Sequence, residues 1–194
     1  FAKYDKILYL DCDLIIEGDI SKLYDIELGN CEVAAVRSED FRLLSKTKSP
    51  IFLEGYPYNV DNYRTEALGM QVPENYFNAG VLVIDLKKTR QRINQEQVFE
   101  ILHRHNYKYN DQDVLNILFD GRVKVMDCRW NYMTYIPEQI AKENVNNRKL
   151  YEDLYREKPC IIHYTSAEKP WNTETKVLGD RYWKYRNEME AVYA

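Results

Sequence analysis

No stretch of this 194-residue chain approaches the roughly 18 apolar residues that a membrane-spanning helix requires. There is also no basic run or stripe, and a net charge of -4 argues against a nucleic-acid surface. The 4 cysteines, at positions 12, 31, 128 and 160, form no CxxC pair and have no histidine at zinc-site spacing. Three of them lie in apolar runs, which predicts reduced core thiols in a cytoplasmic protein rather than a disulfide framework. Internal repeats and low-complexity segments are missing as well. The chain opens at Phe1-Ala2-Lys3-Tyr4-Asp5 without a methionine and enters a core strand almost at once. We therefore expect an N-terminal part of the natural protein to precede Phe1. What is abundant is tyrosine, 17 residues against 6 Phe and 3 Trp. Its apolar body and polar tip suit wet clefts and sugar-stacking walls, although the same residue also serves at plain core edges. Hydrophobic content of 45% and charged content of 30% over this length describe one globular domain with a substantial core.

The stretch Lys6 to Ile16 carries two carboxylates inside an otherwise apolar run. Such a run reads as a strand buried in a parallel sheet. Strand alternation then brings Asp11 and Asp13 out on one face and turns Cys12 away. Two adjacent carboxylates repel, and a divalent cation with oxygen ligands relieves that repulsion. The bland alternative is one Asp capping a turn and the other meeting a distant Lys or Arg.

Further along, Gly18-Asp19 turns the chain and Asp19 caps a short helix through Leu23 and Tyr24, closed by Gly29-Asn30. Strands are expected at Glu32–Arg37, Tyr76–Asp85, Val123–Asp127 and Cys160–Tyr164. Helices are expected from Asn94, with Val98, Ile101, Leu102 and His105 on its apolar face, and from Asn110 as cap to Gly121 as stop. Shorter helices are expected at Asn62–Leu68 and Asn147–Arg156, and a closing helix at Asp180–Tyr193. Residues 38 to 75 otherwise read as a long loop, and loops of that length are usually functional. Alternating strands and helices give an α/β layered sheet, in which ligands gather at the carboxyl ends of strands.

Four polar groups are expected at that end. Asp11 and Asp13 are the first. Asn78-Ala79-Gly80 is the second, where Gly80 lets another group approach the backbone, or where the chain simply bulges. Asp111-Gln112-Asp113 is the third, although acids in a first helical turn are also explained by the helix dipole. His163 with Lys169 is the fourth. A lone strand-end histidine is more often a hydrogen-bonded core residue, but beside two carboxylates it reads as a third ligand, shifting preference from magnesium toward manganese. Lys169 offers a point charge to a phosphate.

The ordered motifs LDCD, YFNAGVLVIDL, NDQDVLN and HYTSAEKPW resemble those of the bacterial family 8 glycosyltransferases, over about residues 4 to 172. That retaining group includes lipopolysaccharide glucosyl- and galactosyltransferases and is related to glycogenin. The resemblance implies a GT-A-like α/β fold, with a mixed, mostly parallel sheet flanked by helices, and a single catalytic domain over residues 1–194. It implies that Asp11, Asp13 and His163 hold Mn2+, or Mg2+, on the diphosphate of a UDP-sugar. Asn78, Ala79, Asp111 and Gln112 would line the donor-sugar pocket, and Lys169 and the Ser166 loop would meet the phosphates. The family's uridine-binding strand and loop would lie before Phe1. The family also commonly has glycine where this chain has Ser166, and a serine held at positive φ there would be strained.

The resemblance makes the expected function transfer of a hexose, glucose or galactose, from a UDP-sugar to a saccharide acceptor, in lipopolysaccharide or cell-surface glycan synthesis. Any peripheral membrane association would run through parts outside this chain. Gln112 is a poor nucleophile, so we expect a front-face substitution in which Gln112 positions the reacting centre. Two rival readings stand beside it. A haloacid-dehalogenase-type phosphatase would use Asp11 as nucleophile, but leaves HYTSAEKPW unexplained. A nucleotide-sugar binding module without catalysis would keep the same residues.

Overall fold

The computed structural model describes residues 3–38, 59, 62–104, 107–135, 149, 152, 156–173 and 177–193. Most of the expected helix at 147–156, residue His105 and most of the loop between 38 and 62 lie outside them.

Two small sheets carry the site between them. The first joins β1 (Lys6–Leu10), β4 (Phe77–Asp85), β3 (Val33–Arg37) and β5 (Val123–Val125), in that order. The second joins β2 (Leu14–Ile16), β7 (Ile161–His163) and β6 (Tyr132–Met133). The architecture is the expected mixed α/β one with flanking helices, but strand direction differs from expectation. Among the described strands, β1–β4, β3–β4 and β2–β7 are antiparallel, and only β3–β5 and β6–β7 are parallel.

The apolar runs misled on direction for a physical reason. On β3 and β4, residues Ala34, Val36, Val81 and Val83 pack on one face with Leu23 and Leu28. Val33, Ala35 and Leu82 pack on the other with Phe77 and Phe119. Both faces are covered, so alternation disappears whichever way the neighbour runs. The first strand is not central either: β1 lies at the sheet edge, with Tyr9 exposed.

Helices fill the connections. Asp19 caps α1 (Ile20–Tyr24) as expected, accepting from the Ser21 N–H at 3.0 Å. Asp85 caps α2 (Leu86–Arg92), and α3 (Gln95–Arg104) follows with Ile101 buried but Leu102 and Phe99 exposed. Arg92 reaches back from α2 to the buried Glu32, with both carboxylate oxygens engaged at 2.7 Å. The helix α4 (Asn110–Leu118) carries Gln112, and α5 (Gly179–Tyr193) closes the chain. Tyr63–Ala67 forms a π-helical turn where a short helix was expected. None of the four cysteines is in a disulfide, but three are only half-buried and Cys12 is exposed. No described helix is long and apolar enough to cross a membrane.

Candidate active site

The two aspartates converge by a bend rather than by strand alternation. β1 ends at Leu10, Asp11 to Asp13 turn, and β2 continues into the other sheet. The Asp11 N–H still donates to the Gly80 carbonyl at 2.9 Å, extending the antiparallel ladder one step beyond Leu10 and Val81. That ladder brings Asn78-Ala79-Gly80 to the carboxyl end of β1. The triplet lies at the start of β4, not at its carboxyl end as expected.

His163, at the end of β7, is 3% exposed, and its Nε2 stands 3.6 Å from Asp11 Oδ2 and 3.2 Å from Asp13 Oδ1. Ligand atoms from Asp11, Asp13 and His163 all lie within 4.8 Å of one another. Adjacent ligands of an octahedral ion bound at ~2.1 Å are about 3 Å apart, so this set fits a hard or borderline divalent cation. Lys169 Nζ donates to Asp13 Oδ2 and to the Tyr164 carbonyl. Burial of Asp13 works to raise its pKa, but hydrogen bonds from His163 and Lys169 outweigh that, and the carboxyl is held well below the usual carboxylate range. Asp13 is therefore an anion at neutral pH. The Tyr9 hydroxyl donates to Asp11 Oδ1 at 2.9 Å, and that hydrogen bond with the carboxylate pushes the phenol up to about 12.

The expected close approach at Gly80 is present, and the approaching group is His163. A Cβ on Gly80 would meet His163 Cε1 at 2.2 Å. Asn78 and Gln112 are joined directly, Asn78 Nδ2 donating to Gln112 Oε1 at 3.1 Å. The Ala79 N–H donates to the same oxygen at 3.2 Å, and Gln112 Nε2 donates to the Tyr76 hydroxyl at 3.0 Å. Gln112 is thus pre-set in one orientation.

The two acids of the third group have different roles. Asp111 is exposed at the start of α4. Asp113 is fully buried and accepts from the hydroxyls of Tyr76 at 2.6 Å and Tyr63 at 2.7 Å, and from the Tyr109 N–H at 2.8 Å. The cap also differs from expectation. Tyr109 occupies the cap position, while Asn110 begins the helix at φ 45. Asn tolerates that left-handed backbone better than most residues. Ser166 adopts φ 78, the strained conformation foreseen for a serine at this place.

Three residues escaped the sequence reading. Asn131, fully buried in the helical turn Cys128–Asn131, has its Oδ1 2.8 Å from His163 Nδ1 and donates to Asn78 Oδ1 at 2.8 Å. Its only sequence signal was an amide standing among aromatics. Tyr9 and Tyr76 were hidden among 17 tyrosines.

Residues 1–175 match the family described as Glycosyl transferase family 8. A lipopolysaccharide 1,2-glucosyltransferase of Escherichia coli K12 is 31% identical over 185 residues, 93% of this chain and 48% of that protein. The bifunctional glycosyltransferase WbbM superposes with a TM-score of 0.76 at 29% identity, over 93% of this chain and 32% of its own. The galactosyltransferase LgtC, solved with donor and acceptor sugar analogs, superposes with a TM-score of 0.63 at 30% identity, over 95% of this chain and 61% of its own. The chain spans about half the length of the curated relatives it matches.

Proposed function

The chain belongs to glycosyl transferase family 8, and from there we propose that it is the GT-A-like catalytic domain of a retaining hexosyltransferase. Its donor is a UDP-sugar carrying glucose or galactose, and its acceptor is a saccharide. Lipopolysaccharide or cell-surface glycan synthesis is the setting this reading favours, on the cytoplasmic side of the membrane. Family membership sets the phosphatase reading aside.

One observation carries the proposal: Asp11, Asp13 and His163 meet within 4.8 Å at the sheet end where Asn78 and Gln112 are already hydrogen-bonded together. A diphosphate site and a sugar-facing amide pair therefore share one corner. Two carboxylates and an imidazole suit manganese, with magnesium admitted. When bound, such a cation supplies Lewis-acid stabilisation of the departing diphosphate. The remaining work falls to side chains. Lys169 adds positive charge beside Asp13, where negative charge grows on the leaving group. Ser166, at positive φ, shapes the loop between His163 and Lys169. Gln112 and Asn78 hold the sugar against a front-face attack, and the fixed Gln112 amide needs no reorganisation to do so.

Calorimetric titration of UDP into the full-length protein, with and without manganese and beside Asp13→Ala, tests this. Manganese-dependent binding that the variant loses is expected, followed by turnover of a UDP-hexose. Binding without turnover would indicate the non-catalytic module. Indifference to both UDP and manganese would overturn the donor site.

A further inference from the structure

A file of side-chain amides runs from His163 into the core, and the backbone beneath it settles which way each amide faces. In isolation an amide can be turned over, exchanging donor for acceptor. Here two N–H groups, which can only donate, remove that freedom. The Gly80 N–H points at Asn78 Oδ1 at 3.0 Å, and the Ala79 N–H points at Gln112 Oε1 at 3.2 Å. Asn78 therefore turns its oxygen toward Asn131. Asn131 must answer with Nδ2, at 2.8 Å, which leaves its Oδ1 facing His163 Nδ1 at 2.8 Å. An oxygen acceptor at that distance requires a proton on Nδ1. The far end agrees, because Gln112 Nε2 donates to the Tyr76 hydroxyl, which donates in turn to the buried Asp113. Every link donates away from the imidazole.

We propose that Asn131 is a positioning residue that keeps a proton on His163 Nδ1 and so makes Nε2, the nitrogen beside Asp11 and Asp13, the one that gives up its proton when a cation binds. The functional meaning rests on the metal-site reading above, whereas the position of the proton does not. A histidine ligand needs its ion-facing nitrogen unprotonated, and the group that holds the opposite N–H orients the ring and raises its basicity. The same file ends on Gln112, so the cation ligand and the sugar-facing amide are set by one chain of hydrogen bonds. Asn131 is fully buried and 32 residues from His163 in sequence.

The test reads the proton directly. The chain has 3 histidines, which makes assignment in nitrogen-15-labelled protein simple. We expect a protected Nδ1–H on His163 in wild type, both metal-free and loaded with diamagnetic magnesium. Asn131→Ala should lose that protection and weaken manganese binding, followed by electron paramagnetic resonance, by about 10–100-fold. Asn131→Asp, whose carboxylate still accepts from Nδ1, should recover the protected proton and part of the affinity. A thermal melt establishes whether Asn131→Ala is folded; if it is not, wild type and Asn131→Asp carry the comparison. An unprotonated Nδ1 in wild type would overturn the proposal, as would a folded Asn131→Ala with an unchanged proton and unchanged affinity. Wild type with the protected Nδ1–H but no affinity for manganese would support the proton's placement and overturn the metal site.

Discussion

Gly80 lies against the His163 imidazole so closely that a Cβ there would stand 2.2 Å from Cε1 and 2.7 Å from Nδ1. The same Cβ would come within 2.9 Å of Asp11 Oδ2, so the bare backbone of β4 forms the floor of the cluster. Gly80→Ala must push the ring or a carboxylate aside. Manganese affinity should fall at least about tenfold, and overpacking should lower stability by about 1–3 kcal/mol. Metal titration beside a thermal melt would separate the two effects, and unchanged affinity would contradict the contact.

Asp113 and Asp111, two residues apart, should respond oppositely. Asp113→Asn puts an amide where a buried carboxylate accepts three donors, so at least one donor loses its acceptor. A loss of about 2–3 kcal/mol is expected from denaturant unfolding. Asp111→Asn, at an exposed position, should leave stability within about 0.5 kcal/mol. Its effect should appear in turnover instead.

Ser166 adopts φ 78, a backbone that costs an L-residue about 1–2 kcal/mol. Ser166→Gly removes that strain but gains unfolded-state entropy worth about 0.5–1 kcal/mol. The net change should be a stabilisation of about 0.5 kcal/mol, read as a higher melting temperature. Ser166→Val should melt lower than wild type.

The Asp85 cap makes stability depend on pH. Partial burial works to raise its pKa, but hydrogen bonds from the Lys88 backbone and side chain lower the carboxyl below the usual value. A carboxylate depressed in the folded state stabilises at neutral pH, and that contribution disappears as pH falls through its folded pKa. Asp85→Ala should therefore cost about 1 kcal/mol at pH near 7 and progressively less in acid. A cost that stays constant down to about pH 2 would contradict the assignment of the shift.

Gln112 is held by Asn78, the Ala79 N–H and Tyr76, and the proposed function turns it toward the donor sugar. Gln112→Ala should lower kcat by at least about tenfold while changing donor affinity much less. Equal losses in both would reduce its role to binding.

Much of the fold was legible because local chemistry encodes it. The Asp19 cap and the core runs of β3, β4 and β7 follow from stereochemistry and burial within a few residues, whereas the left-handed backbone at Ser166 was foreshadowed only by the family resemblance. The donor set was legible too, since two aspartates and a strand-end histidine can be chosen by type. Leu102 was misjudged because helical periodicity names a face without saying whether anything covers it, and here it stays 48% exposed.

By itself, then, the sequence determined that β3, β4 and β7 are core strands, where several turns fall, and which side chains are able to hold a cation. Only the tertiary structure decided that β1 pairs antiparallel at the sheet edge, that Asp113 is a buried anchor while Asp111 is not, and that Asn131 stands behind His163. A run buried on both faces carries no record of its neighbour's direction. A hydrogen bond such as that between Asn131 and Asn78, 53 residues apart, leaves no periodic trace in the chain.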